Sequence, residues 1–156
     1  MPLNPRSRLA LTSVDLPAAA NALAGFSRHP DGKDAEFSLF VFPVDGSAPE
    51  HPIADITEHF HLVSWSPDGK LIGMEKAAGS QQEYGIWMVP LLGGKPYRFL
   101  DQQRGRQLKP TFSPDGRLLA YVSTGQVYIT RFPGPGESVQ VSTERGFRSC
   151  MVARRP

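Results

Sequence analysis

The sequence predicts an all-β protein assembled from repeated modules of four short strands, and three observations carry that prediction. The tetrapeptide Ser-Pro-Asp-Gly occurs twice, from Ser66 and from Ser113, 47 residues apart, each copy lying between an aromatic residue and an apolar run. The same shift lays Leu39-Phe40-Val41-Phe42-Pro43 on Ile86-Trp87-Met88-Val89-Pro90 and Gly46 on Gly93, and a shift of 41 lays Ile86 onward on Val127-Tyr128-Ile129-Thr130. Finally, 15 Gly and 15 Pro among 156 residues supply the turns that many short strands require.

The tetrad itself encodes a turn. Ser at the first position, Pro at the second and Gly at the fourth suit a type I β-turn. Pro67 presets φ, Asp68 accepts hydrogen bonds from nearby backbone, and Gly69 takes the left-handed conformation of a three-residue hairpin with a bulge. In the middle module the strands are expected at His61–Ser66, Leu71–Ala77, Tyr84–Leu92 and Pro96–Leu100. In the last they are expected at Leu108–Ser113, Leu118–Ser123, Gln126–Phe132 and Ser138–Thr143. The first module is worn: Ala22–Arg28, Phe37–Pro43 and His51–Ile56 supply three strands, and Ala19-Ala20-Asn21-Ala22 stands where the tetrad belongs.

Leu39–Phe42 and Ile86–Val89 are apolar continuously rather than alternately, so both faces of these strands should be buried. A blade stacked between two neighbouring blades meets that requirement, and four strands per period of 40–50 residues is the signature of a β-propeller. The expected fold is therefore a partial β-propeller of about three four-stranded blades, the first degenerate, standing open or closed by oligomerisation. Residues 1–21 read as a poorly structured N-terminal segment, 22–143 as the blades (about 22–56, 61–100 and 108–143), and 144–156 as a divergent basic tail.

Val63-Ser64-Trp65-Ser66-Pro67-Asp68-Gly69-Lys70-Leu71-Ile72 and Pro110-Thr111-Phe112-Ser113-Pro114-Asp115-Gly116-Arg117-Leu118-Leu119 closely resemble the WD40-like repeat of TolB-type propellers. The resemblance covers about residues 22–143. The third module, with Arg131-Phe132-Pro133-Gly134-Pro135-Gly136 before Val139-Gln140-Val141-Ser142-Thr143, looks most like the propellers appended to bacterial serine/threonine kinases. Members of the family typically close with six blades, so the resemblance implies a piece of a larger propeller. An open fan of three blades is expected to expose apolar faces and strand edges, which invite pairing with another chain; two copies would make a six-bladed ring.

Charge excludes little by itself. The net charge of +2 is concentrated in residues 144–156, where four Arg face one Glu, so the body is close to neutral and gives no case for nucleic-acid binding. A single cysteine, Cys150, excludes an intrachain disulfide. No segment is long and apolar enough to span a membrane. From Met1 to Gly25 the apolar stretch is broken by Asp15 and Pro17, so no cleavable export signal is expected. That reading makes the chain cytoplasmic as it stands, or periplasmic if an upstream signal has been lost.

The search for chemistry yields structural readings. His59 and His61 share a spacing that lets both face one way, but a third ligand at metal-site spacing is missing; His29 and His51 sit elsewhere. Asp68 and Asp115 read as turn acceptors rather than an acid/base pair. Gly-x-Ser-x-Gly is absent, Gly93-Gly94-Lys95 lacks the rest of a phosphate-binding loop, and kinase motifs are missing. The column Phe40, Trp87, Tyr128 reads as packing between blades. The expectation is a non-catalytic module for protein or ligand binding, with no catalytic, cofactor or metal residues, no cofactor, a protein partner that includes self-association, no nucleic acid and no membrane span. Two alternatives follow from the resemblance: the sensor or gating propeller of a bacterial serine/threonine kinase or prolyl-oligopeptidase-type peptidase, or a TolB-like envelope interaction protein.

Overall fold

Eleven strands, arranged as three antiparallel meanders, make up the described part of the chain in a computed structural model; described are residues 22–28, 37–43, 51–56, 60–78, 83–100 and 105–143. Blade 1 holds β1 (Ala22–Arg28), β2 (Phe37–Pro43) and β3 (His51–Ile56). Blade 2 holds β4 (Phe60–Trp65), β5 (Leu71–Ala78), β6 (Glu83–Pro90) and β7 (Tyr97–Arg98). Blade 3 repeats that plan with β8 (Gln107–Phe112), β9 (Leu118–Ser123), β10 (Gln126–Arg131) and β11 (Val139–Gln140). The architecture is the expected all-β one, a partial propeller whose sheets stay open. The segments 1–21 and 144–156, and with them Cys150, lie outside the described residues.

The two tetrads fold alike. In the first, Gly69 N–H donates to Ser66 O at 2.9 Å, which closes the type I turn, and Gly69 adopts φ 72°. The strands then meet at Ser66 N–H···O Leu71, 2.8 Å, so the loop holds Pro67 through Lys70, one residue more than the expected three-residue hairpin. Side chains make the longer loop possible. Ser66 Oγ donates to Asp68 Oδ1 at 2.6 Å and accepts from Leu71 N–H at 2.9 Å, while Asp68 Oδ1 also accepts from Lys70 N–H at 3.1 Å. Ser113, Asp115, Arg117 and Leu118 repeat these bonds at the same distances, with Gly116 at φ 69°.

Blade 2 is buried on both faces, as the continuous apolar run requires. On one face lie Ile86 and Met88, fully buried; Ile72, Met74 and Val89, also fully buried, alternate onto the other. The first of these faces meets blade 3 in one apolar seam. There Ile86, Met88, Phe99 and Leu100 pack with Phe112, Leu119 and Tyr121, and Tyr128 and Phe132 close the edge. Phe132 stands edge-on to Phe112 at 4.9 Å and tilts against Phe99 at 5.4 Å, while Tyr121 and Tyr128 stack at 5.6 Å. Gly73 gives Phe112 its seat, since a Cβ there would lie 3.3 Å from the ring.

The outermost strands are shorter than expected. Pro96 offers no N–H before β7, and beyond β11 the chain is held by Val141 N–H···O Val127 and by Val127 N–H to Ser142 Oγ, a side-chain substitute for ladder pairing. Exposed apolar residues gather along these outer strands and turns: Leu92, Tyr97, Val139 and Val141. The face of blade 3 turned away from blade 2 is mixed: Ala120 and Val122 are buried, whereas Val139 and Val141 on the same face are exposed apolar side chains, as expected of an open fan.

Candidate functional site

Opposite the Ser-Pro-Asp-Gly turns, the strand ends of blade 2 and blade 3 converge on a group of polar and aromatic side chains. The register pairs His61 with Glu75, Glu75 with Ile86, and Ala77 with Tyr84, so side-chain alternation places His61, Glu75 and Tyr84 on the face of blade 2 that meets blade 3. His61 and Tyr84 stack at 6.4 Å with 25° between the rings. Arg106, which enters blade 3 just before β8, lays its guanidinium carbon 4.5 Å from the centre of the Tyr84 ring. Cation–π contacts of this kind contribute about 0.5–1 kcal/mol where solvent reaches them.

Beneath this cluster the blades are joined by backbone N–H groups that point at side chains. In β8 a bulge sets Lys109 and Pro110 against a single residue of β9, and Lys109 takes φ 53°, an uncommon conformation for a non-glycine residue. Its N–H, freed from the ladder, donates to Oε1 of the buried Glu75 at 2.6 Å. Two residues past the bulge, Phe112 N–H donates to Ser64 Oγ at 3.2 Å. A bulge recurs near the matching place in β4, between Leu62 and Ser64. The bulge thus aims a backbone donor across the junction, and the buried carboxylate answers it.

The other face of blade 2 carries a second cation on an aromatic ring. Lys76 Nζ lies 4.4 Å from the Trp87 ring centre. Arg98 passes flat over Gly85, where a Cβ would come within 2.8 Å of Nη2, and its Nε–H donates to Leu100 O at 3.0 Å. Two indole N–H groups on this face, Trp65 Nε1 and Trp87 Nε1, are buried without a hydrogen-bond partner, which costs about 1–3 kcal/mol apiece.

The residues singled out from sequence divide between the two ends. Asp68 and Asp115 sit at the turn end, each committed through Oδ1 to its own turn. Their carboxyls are held below the ordinary aspartate range, first by the Ser66 and Ser113 hydroxyls, with backbone N–H groups and the Lys70 and Arg117 charges adding to the effect and slight desolvation opposing it. Of the four histidines only His61 has a described side chain, and it faces Tyr84; His29 and His59 lie outside the described residues. Among the described residues no group of three or more His, Cys, Asp or Glu is placed to hold a metal ion, and no helix is long and apolar enough to cross a membrane. In the aromatic column, Tyr128 packs into the seam, while Trp87 is half-buried on the far face of blade 2 under Lys76. Tyr84, Arg106, Glu75 and the Lys109 bulge were not foreseen. A positive charge immediately before β8 is too common a pattern to mark Arg106.

Comparison with known proteins agrees with the fold. No family model matches the chain. An uncharacterized protein of Agrobacterium fabrum is 30% identical over 118 residues, which is 74% of this chain and 38% of that protein. Among solved structures, the Agrobacterium tumefaciens protein described as a TolB is similar with a TM-score of 0.62 at 21% identity, covering 80% of this chain and 43% of that one. TolB from Acinetobacter baumannii gives 0.58 at 13% identity, with 77% and 29% covered. A prolyl endopeptidase gives 0.55 at 19% identity, with 77% and 20% covered. The fold is therefore that of a TolB-like β-propeller, and the chain spans less than half the length of each of these four proteins.

Proposed function

We propose that the chain is a non-catalytic β-propeller module that binds a protein or ligand partner, as one part of a larger propeller. The observation that carries this reading is the group at the blade 2–blade 3 junction in which exposed His61 and Arg106 flank the half-buried Tyr84. Rigid strands of two blades position these side chains, yet the described contacts of Arg106 and His61 end at Tyr84. Arg and Tyr are the residue types that dominate binding energy at protein interfaces. The aspartates of the repeat are engaged through Oδ1 in turn geometry, which supports a structural role for them. Propellers serve many functions, so the case rests on this group and not on the fold alone.

Likeness to a prolyl endopeptidase propeller supports a second reading, a gating or sensor propeller whose catalytic domain is separate. Affinity capture with the wild-type chain and with Tyr84→Ala tests the first. A partner retained by the wild type and lost by the variant supports it. Equal capture by both, or turnover of ester, peptide or phosphoester substrates by the purified chain, overturns it. Solution mass decides whether that partner is a second copy.

A further inference from the structure

Arg106 is an exposed guanidinium held against an aromatic ring, and among the described residues no carboxylate pairs with it. The ion pair that joins Lys70 to Asp68, at 3.9 Å, lies at the other end of the blades. Among the described residues the buried carboxylate is that of Glu75, and its Oε1 is turned to the Lys109 backbone N–H. His61 and Tyr84 stand on the same face of blade 2, Lys109 follows at the start of blade 3, and Lys76 and Arg98 add cations on the opposite face of blade 2. A guanidinium presents a planar fork of donors that matches an oxyanion two bonds at a time, and stacking on a ring leaves the edge of that fork open. Contact with the Tyr84 ring restrains the guanidinium, so less side-chain freedom remains to be lost on binding.

We infer that Arg106, backed by Tyr84 and flanked by His61, is the recognition site for an oxyanion group of the partner, a carboxylate or a phosphate. The inference rests on the binding reading above and names the chemistry that the same junction selects.

The test follows the Arg106 Nε–H resonance of the whole chain by 1H–15N NMR during titration with sodium N-acetylglycinate, inorganic phosphate or sodium chloride at matched ionic strength. A saturable shift with acetylglycinate or phosphate, and only a small linear drift with chloride, is expected; whichever oxyanion saturates identifies the source. Arg106→Lys keeps the charge and loses the fork, and should weaken that binding at least about tenfold with an unchanged melting temperature. Chloride behaving like both oxyanions, or Arg106→Lys binding as tightly as wild type, overturns the inference. Partner capture that still depends on Tyr84 while neither oxyanion moves Arg106 would sink the oxyanion site and leave the binding module standing.

Discussion

Truncating Phe112 to Ala tests whether the blades are held together by their seam. The ring is 6% exposed, stands edge-on to Phe132 at 4.9 Å and rests on the bare backbone of Gly73. Burying a phenylalanine removes about 150–250 Å² from water, worth roughly 4–6 kcal/mol at 25 cal/mol/Å². Partial collapse of the cavity returns some of this, so Phe112→Ala should cost about 3–5 kcal/mol. That is a large fraction of the 5–15 kcal/mol typical of a whole domain. The assay is equilibrium urea unfolding followed by tryptophan fluorescence, with Leu92→Ala, at an 86% exposed turn residue, as the control. With a slope near 1.5 kcal/mol/M the midpoint of Phe112→Ala should fall by roughly 2–3 M, and that of the control by less than about 0.4 M. Equal shifts for the two variants would refute the reasoning, because Phe112 would then not be packed between blades.

Other perturbations probe single contacts. Glu75→Ala leaves the Lys109 N–H buried and unanswered and should cost about 1–3 kcal/mol, whereas Glu75→Gln, which keeps an acceptor, should cost less; urea midpoints distinguish them. Thr124 occupies φ 50° in the two-residue Thr124-Gly125 turn, where Asn is better suited, so Thr124→Asn should raise the melting temperature by a few degrees. Trp65→Phe removes an indole N–H that has no partner, and calorimetry should find it neutral within about 1 kcal/mol or stabilising rather than strongly destabilising. The lowered carboxyls of Asp68 and Asp115 add stability that is fully present above the unfolded aspartate value of 3.8 and lost as pH falls through the lower folded values. Both groups are open to solvent, so screening keeps the effect small. Wild type should exceed the Asp68→Asn, Asp115→Asn double variant in urea midpoint at pH 6, and the gap should narrow by pH 3.

Much of the fold was legible because it is local or repeated. The Ser-Pro-Asp-Gly turn specifies its own hydrogen bonds within six residues, and the 47-residue shift carries the strand pattern from one blade to the next. The loop's extra residue was missed because β-turn rules treat backbone alone, whereas Ser66 Oγ and Asp68 Oδ1 take up the additional N–H groups. The junction was illegible for a different reason. Glu75 meets Lys109 across 34 residues, Ser64 meets Phe112 across 48, and Tyr84 meets Arg106 across a loop, so no local pattern records them. One signal was available: Ser64 and Thr111 are small hydroxyl residues at matched repeat positions, which marks that column as polar inside an apolar run.

The stacking of blade 2 on blade 3 underlies both the fold and the site, and amide hydrogen exchange measures it most directly. Lys109 and Phe112 direct their N–H groups across the junction, to Glu75 Oε1 and Ser64 Oγ. With the blades stacked, both amides should be protected to nearly the same degree as the core of β9, by factors of thousands or more. Exchange of these two amides at the rate of an open loop, with β9 still protected, would show blades that fold without stacking and would contradict the account.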